Sequence, residues 1–293
     1  MRRPSATAEL LVATVAFSAI SLFPSRIHGD AFAISFGRAA FAFVGLLIVA
    51  LATRQSFAKP ERRDLLPLAA TALFNALNWV TIFAAIQVAG IAVAVISLFT
   101  YPLLTALLEP VVSRKPHDRF EVMAGLAVVL GVFLVVPRFD FSDRTFIGVL
   151  LGVSSALAFT FRNLIGRPLV PKYGAVPTML WQFAFAIPFF APFGLPLVAR
   201  WTLHDWLLLF VMGAVLTAFS QTLFLSNLKR VTSSYASLIT SAQPVISVAL
   251  AMMVNGERPT ARTLLGGAVV TLSVLAVALR KRTPSLNDRP GPP

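Results

Sequence analysis

Long apolar runs alternate with short polar segments along the whole chain. Each run is long enough to cross the roughly 30 Å hydrocarbon layer of a bilayer as a helix, although the run from residue 120 is short. The pattern predicts ten membrane-spanning helices, over residues 8–24, 31–51, 65–86, 91–112, 120–136, 145–165, 177–198, 206–227, 232–254 and 263–279. The sequence therefore predicts an all-α polytopic membrane protein.

The two ends of the chain need separate interpretation. The apolar run behind Arg2 and Arg3 could also be a secretory signal, with residues 31–33 as a small-residue cleavage site. We interpret it as the first helix, because the duplication described below needs it in place. Residues 281–293 are polar and rich in proline, which predicts a disordered cytoplasmic tail.

Composition supports a membrane protein and excludes several other classes. Apolar residues make up 57% of the chain and charged residues only 13%, against about 25% charged residues in soluble domains. The formal net charge is +13, but the basic residues are scattered between apolar runs, so no nucleic-acid partner is expected. Cysteine is absent, which excludes disulfides, thiol catalysis and thiolate metal sites. We expect neither a cofactor nor a metal.

Positive residues predict the orientation, because Lys and Arg are retained on the cytoplasmic side during insertion. The side that carries both termini has many more of them, namely Arg2, Arg3, Arg54, Lys59, Arg62, Arg63, Arg114, Lys115, Arg119, Arg167, Lys172, Lys229, Arg230, Arg280, Lys281, Arg282 and Arg289. The opposite side has Arg26, Arg138, Arg144, Arg200, Arg258 and Arg262. We expect a multi-pass protein of the cell (inner) membrane with cytoplasmic N- and C-termini.

The two halves of the chain are similar in sequence. Residues 86–135 align with residues 228–277 at an offset of 142 without a gap, and Pro102 then matches Pro244. The first helices of the halves also align, with Ser18, Phe23 and Arg26 over Ser154, Phe159 and Arg162. Five helices per copy is an odd number, so the second copy must be inverted in the membrane. The predicted units are residues 1–137 and 138–280.

These features resemble the drug/metabolite transporter superfamily, and within it the EamA-like ten-helix branch. The resemblance is carried by the 5+5 plan, by residues 96–107 and 239–247 around the two prolines, by Arg38 with Gln182 in corresponding helices, and by Gly256-Glu257. The Gly-Glu pair expected after the fourth helix is replaced by residues 113–116, Ser-Arg-Lys-Pro. The resemblance implies solute transport by alternating access, through a cavity lined by helices one to four and six to nine.

Polar residues recur on the third and eighth predicted helices. Asn75, Asn78 and Trp79 share one face at i, i+3, i+4 spacing, and their repeat partners are Thr217, Ser220 and Gln221. Side chains of this kind inside a membrane protein avoid lipid and line a cavity or a helix contact. We predict a solute site at the contact between the repeats. The alternative is that these residues only hydrogen-bond neighbouring helices.

Further candidates flank the two prolines. Solute-binding candidates here are Ser97 and Tyr101 on the fourth helix and Thr240 and Ser241 on the ninth, with Ser237 and Gln243 near them. Pro102 and Pro244 each remove one ladder hydrogen bond and predict either a hinge or a static packing kink. Gln182 completes the candidate site. Trp79 and Trp181 could stack on a planar solute or could be packing residues.

Charged residues in the predicted spans have two interpretations each. Arg38 lies about two turns inside the second helix, where it either contacts a solute carboxylate or phosphate, or snorkels outward or binds a backbone carbonyl. Arg26 and Arg162 either hold gates or anchor the helices in the membrane. No acid lies mid-membrane, and Glu109, near a helix end, is either a proton site or the partner of a nearby Arg or Lys.

The sequence predicts a secondary transporter that exports a small polar metabolite such as an amino acid, and export follows from the resemblance alone. A receptor or scaffold is the main alternative. An intramembrane enzyme is disfavoured, because no nucleophile, base or metal set assembles. The expected partners are a small solute and the bilayer, and association with a second copy stays open. Asn78→Ala or Gln221→Ala is expected to impair transport while leaving the fold intact.

Overall fold

A computed structural model describes residues 5–54, 59–113, 116, 118–227, 230–231 and 233–282. The predicted tail, from residue 283 onward, and the basic residues Arg2, Arg3, Arg114, Lys115 and Lys229 lie outside this part. The described residues form helices α1 Ala6–Ile20, α2 Ala31–Ala52, α3 Arg62–Ala89, α4 Ile91–Leu98, α5 Tyr101–Ser113, α6 Arg119–Val135, α7 Arg144–Gly166, α8 Leu169–Tyr173, α9 Ala175–Val198, α10 Leu203–Phe210, α11 Ala218–Asn227, α12 Ser233–Thr240, α13 Gln243–Val254 and α14 Ala261–Arg282.

Most of these helices are suited to a bilayer by length and composition. Seven segments of the described chain are long and apolar enough to span it, namely α2, α3, α7, α9, Ile91–Val112, Leu203–Phe224 and Ala261–Arg280. Helix α1 and the segment Leu238–Val254 are apolar but shorter, and α6 has 17 residues. The predicted all-helical membrane fold is confirmed at this level.

The fourth and ninth predicted spans are each interrupted rather than bent. Helix α4 ends at Leu98 and α5 begins at Tyr101, while α12 ends at Thr240 and α13 begins at Gln243. Each proline is the second residue of the helix that follows the break, where a missing N–H costs no helical hydrogen bond. The prediction of one continuous kinked helix was therefore too simple in both halves.

The eighth predicted span contains a wider turn that the sequence did not indicate. Residues Val211–Thr217 form a π-helical segment between α10 and α11. Thr217 donates its hydroxyl to the Met212 carbonyl at 2.7 Å, five residues back. A π-turn leaves backbone groups misaligned with the regular ladder, and the hydroxyl satisfies one of them. This segment packs against α2.

The strongest helix contacts join one half of the chain to the other. Helix α3 packs along α7, α2 along α9, α6 along α14, and α1 along α11. The α6–α14 contact is close, because Gly131 and Gly266 each bring the partner backbone within about 3 Å of where a Cβ would lie. Small residues allow this approach in membrane helix pairs. The space left between the halves is the candidate site.

Candidate functional site

A cavity of about 550 Å³ lies between the two halves. Eight of the predicted site residues line it, namely Arg38, Asn75, Asn78, Trp79, Tyr101, Gln182, Gln221 and Thr240. They come from α2, α3, α5, α9, α11 and α12, so both halves contribute polar groups. The size and mixed lining are typical of a small-molecule site.

Four predicted site residues lie outside the cavity wall. Ser97 is fully buried, and its hydroxyl has no hydrogen-bond partner in the described chain. It instead packs on Gly152 of α7, where an added Cβ would lie 2.5 Å from the Ser97 Cβ. The hydroxyls of Thr217, Ser220 and Ser241 donate to backbone carbonyls three to five residues earlier in the chain. These four residues therefore do not line the cavity in this structure. Backbone carbonyls accept from three of the hydroxyls, and Ser97 is packed against α7. Their role in solute binding stays a prediction.

The prolines and Trp181 are also displaced from the solute space. Pro102 and Pro244 do not line this cavity, although the residues directly before them, Tyr101 and Gln243, do. Trp181 packs on Phe185 at 6.0 Å between ring centroids, beside the small cluster around Leu68. Of the two predicted tryptophans, Trp79 lines this cavity and Trp181 does not.

Several of the lining residues were not predicted from the sequence as solute-binding residues. Arg162 is the most important of them, because it brings a charge to the cavity. The alignment of the first helices had paired it with Arg26, yet Arg26 donates to the Val254 carbonyl at 2.7 Å and does not line the cavity. Lining residues of α1 and α7 are related by the offset of 142 instead, as Phe17 and Phe159 are. An alignment of the two halves at an offset of 142 over their whole length pairs Arg162 with Ile20, and both residues line the cavity.

Arg38 lies over an indole ring at the cavity wall. Its guanidinium carbon is 3.3 Å from the centroid of the Trp79 ring, whose Nε1 donates to Asn75 Oδ1 at 3.2 Å. Arg38 is only 1% exposed, and its Nε has no hydrogen-bond partner among the described residues. Stacking engages the face of a guanidinium and leaves the N–H donors in its plane available.

Arg162 supplies a second guanidinium from the other half. Its Nε donates to Gln182 Oε1 at 3.1 Å, and its guanidinium carbon is 5.7 Å from the centroid of the Phe159 ring. No Asp or Glu of the described chain lines the cavity. The cavity therefore carries positive charge that no lining carboxylate balances.

Asn78 is hydrogen-bonded to α7, the helix packed directly against α3. Its amide Nδ2 donates to the Ser155 hydroxyl at 2.8 Å and to the Ser155 carbonyl at 3.1 Å, and the Ser155 hydroxyl donates to the Asn78 carbonyl at 2.9 Å. Both residues are buried. The bonds favour the helix-contact interpretation of Asn78, although the residue also lines the cavity.

Replacing Asn78 by alanine is therefore expected to lower the stability of the α3–α7 contact as well as to alter the cavity. We expect a coupling energy of about 1 kcal/mol between Asn78→Ala and Ser155→Ala, since polar pairs in membrane helices contribute this much or less. A double-mutant cycle of unfolding in detergent measures it. Additive losses in the double variant would contradict the observed bonds.

One end of the cavity is open and the other is closed. The open end reaches Val170, which is 41% exposed, and Arg167, which forms an ion pair with Glu109. At the other end the lining residues Ile20 and Ile86 are almost fully buried. Exposed lining residues thus lie at one end of the cavity and buried ones at the other.

Hydrogen bonds join the two halves close to Ile86, at the buried end of the cavity. The Glu257 carboxylate accepts from the Ile91 N–H at 2.9 Å and 3.1 Å and from the Ala92 N–H at 3.3 Å, at the start of α4. Gly90 has a φ of +86°, and a Cβ there would lie 3.3 Å from both Glu257 oxygens. A carboxylate at a helix N-terminus satisfies free N–H groups and interacts favourably with the helix dipole. Glu257 thus ties the second half to the first.

Two curated proteins resemble the chain over nearly its whole length. An uncharacterized transporter of Archaeoglobus fulgidus is 25% identical over 278 residues, which are 92% of this chain and 94% of that protein. The uncharacterized transporter YxxF of Bacillus subtilis is 23% identical over 291 residues, 98% of this chain and 93% of that protein.

Two further matches agree with these. The uncharacterized inner membrane transporter YicL of Salmonella typhimurium is 24% identical over 229 residues, 76% of each chain. A protein of known crystal structure has the same fold, with a TM-score of 0.63 at 18% identity, over 95% of this chain and 99% of that one.

A sequence model of the EamA-like transporter family matches the chain twice, over residues 7–136 and 146–279. The two matches cover most of the molecule, and they fall on the two halves that enclose the cavity. With its helical membrane fold and its two EamA units, the chain belongs to the EamA-like transporter family and is a multi-pass membrane transporter.

Proposed function

We propose that this protein is a secondary transporter that exports a small polar metabolite, such as an amino acid, by alternating access. The observation that carries the proposal is the cavity, which is lined by polar side chains of both halves, open at one end and closed at the other. Alternating access requires a central site that two repeats enclose and expose in turn. The transporter names of the relatives support this reading over a receptor or scaffold.

We further propose ten membrane spans in two inverted sets of five. The first set is α1, α2, α3, α4 with α5, and α6; the second is α7, α9, α10 with α11, α12 with α13, and α14. The paired breaks before Pro102 and Pro244 and the offset of 142 between lining residues support a repeat. An odd number of spans in each set inverts the second relative to the first.

The open end faces the cytoplasm in this proposal. Arg167 at the open end belongs to the side rich in Lys and Arg, whereas Arg26 and Arg258 belong to the closed side. Positive residues predominate on the cytoplasmic side of membrane proteins. A cytoplasmic solute would then enter the open cavity, and the closed end, with the Glu257 bonds, would be the outer gate. Both termini are cytoplasmic in this arrangement, and the membrane is the cell (inner) membrane.

The two interrupted helices are the proposed moving parts. Their breaks lie beside the lining residues Tyr101 and Gln243, so a change of angle there would alter the cavity directly. A two-residue interruption before Pro102 and Pro244 lacks some of the helical hydrogen bonds that would resist bending. The hinge role of both prolines stays a prediction.

Gln221→Ala is expected to reduce transport about tenfold with little change in stability. The side chain lines the cavity and forms no hydrogen bond with any residue that the structure describes, so its amide is available to a solute and its loss leaves no buried partner unsatisfied. Uptake of a labelled amino acid by proteoliposomes measures the effect, and a melting curve measures stability.

The matched control for this test is Ser226→Ala, an exposed position on the same helix. It should transport like the wild type. If Gln221→Ala also transports at the wild-type rate, the proposed solute site is wrong. If the purified wild-type protein moves no amino acid or other small metabolite of a panel, the transport proposal itself fails in favour of a receptor or scaffold.

A further inference from the structure

We infer that the cavity recognises the carboxylate of its solute through Arg38 and Arg162 and offers no counter-charge to an amino group, so that amphipathic organic acids are its preferred ligands. The inference rests on the proposed function and narrows it. An amino acid would then be bound through its carboxylate alone. The matching acid that lacks the amino group should bind at least as tightly.

The first step concerns the donors of Arg38. The guanidinium carbon lies 3.3 Å from the centroid of the Trp79 ring and 5.9 Å from the centroid of the Phe83 ring. Its Nε is buried without a partner in the described chain, and no described carboxylate or carbonyl accepts from its other nitrogens. A buried donor of a charged group that forms no hydrogen bond costs about 1–3 kcal/mol. A ligand with two acceptor oxygens would satisfy them.

The second step concerns Arg162. Gln182 accepts from its Nε alone, so the two terminal nitrogens have no partner among the described residues. A charge near the middle of a membrane helix costs about 2.5–3.5 kcal/mol unless it is paired or hydrated. Two such charges, one from each half, line the same cavity. An anionic solute that contacts both would also draw the halves together.

The third step concerns the rest of the wall. The lining residues of the described chain include no Asp or Glu, and Glu109, the ion-pair partner of the lining residue Arg167, is already paired. An ammonium group would therefore lack a charged partner and would be repelled by two guanidinium groups. Phe17, Phe159 and Phe224 supply an apolar wall for the body of the ligand.

Three ligands that share one body test the inference. L-Phenylalanine has both charged groups, 3-phenylpropanoate lacks the amino group, and 2-phenylethylamine lacks the carboxylate. Calorimetric titration of the purified full-length protein in detergent measures their binding. We expect 3-phenylpropanoate to bind at least as tightly as phenylalanine, and 2-phenylethylamine to bind at least about a hundredfold more weakly, since it loses two charge-assisted contacts.

Variants assign the effect to the two arginines. Arg38→Gln and Arg162→Gln should each weaken 3-phenylpropanoate binding at least about tenfold, and Arg38→Lys should restore only part of it because a lysine cannot form the bidentate contact. Arg280→Gln removes an arginine that pairs with Asp118 away from the cavity, and it should bind like the wild type. The three-ligand comparison in the wild type needs no variant, so it stands even if a variant fails to fold.

Four results would overturn the inference. Three concern the wild type: 3-phenylpropanoate does not bind, phenylalanine binds at least about tenfold more tightly than 3-phenylpropanoate, or 2-phenylethylamine binds as tightly as 3-phenylpropanoate. The fourth is that both folded Gln variants bind 3-phenylpropanoate like the wild type. The proposed transport function and the binding inference fail on different results. Carboxylate binding without movement of any bound ligand in proteoliposomes contradicts the proposed function and leaves the binding inference intact. Phenylalanine transport that persists in both Gln variants does the reverse.

Discussion

Replacing Glu257 by alanine is expected to open the closed end of the cavity. The carboxylate accepts from two backbone N–H groups at the start of α4 and joins the second half to the first. Removing a charged cap of this kind costs about 2 kcal/mol, which changes the ratio of closed to open molecules roughly thirtyfold. Glu257→Gln should have a smaller effect, since an amide oxygen can still accept but carries no charge.

The absence of cysteine allows a direct measurement of this opening. A single cysteine at Ile86, which is 2% exposed at the closed end, can be labelled from outside only when that end opens. We expect a membrane-impermeant maleimide, applied from outside, to react many times faster in Ile86→Cys with Glu257→Ala than in Ile86→Cys alone. Asp140→Asn, which alters an exposed loop acid bonded to Ser142, is the matched control. Equal labelling rates with and without Glu257 would show that its carboxylate does not hold the gate.

Replacing Gly266 by leucine is expected to destroy the α6–α14 contact and with it most of the folded protein. A Cβ on Gly266 would lie 2.4 Å from the Gly131 carbonyl oxygen, and a Cβ on Gly131 would lie 2.8 Å from the Gly266 carbonyl oxygen. Backbone atoms cannot move aside as a flexible side chain can, so the helices must separate. We expect a loss of about 3 kcal/mol or more, at the upper end of overpacking effects.

Unfolding in detergent, followed by circular dichroism, measures this loss. Ala268→Leu places the same leucine side chain on an exposed face of the same helix and should leave the stability within about 0.5 kcal/mol of the wild type. Gly131→Leu should be as damaging as Gly266→Leu, because the two glycines face each other. If either glycine variant keeps the wild-type melting curve, the close contact between α6 and α14 is not what holds these helices together.

The effects on Glu257 and Gly266 separate two roles of the contacts between the halves. The Glu257 bonds are few, lie at one end and involve groups that water can also satisfy, so they can break during a transport cycle. In the α6–α14 contact the backbones meet at Gly131 and Gly266, and water cannot replace close packing of this kind. We therefore expect the gate to move and the α6–α14 pair to stay together in both conformations.

The sequence by itself determined the features that depend on local chemistry. Long apolar runs require helices in lipid, whatever their neighbours are, so the helical membrane fold could be predicted. The spacing of Asn75, Asn78 and Trp79 put them on one face, and the structure places all three on the cavity wall. Pro102 and Pro244 indicated a disturbance of two helices, and both helices are interrupted there.

Only the tertiary structure decided how each helix is rotated and what its polar groups contact. Ser97 lies on the side that packs against Gly152, and Asn78 bonds to Ser155, a partner 77 residues away. Arg38 and Arg162 come from different halves, and nothing in either helix indicates that both face one cavity. A polar side chain in an apolar helix predicts that it avoids lipid, but not which neighbour it meets, because that depends on the fit of whole helix surfaces.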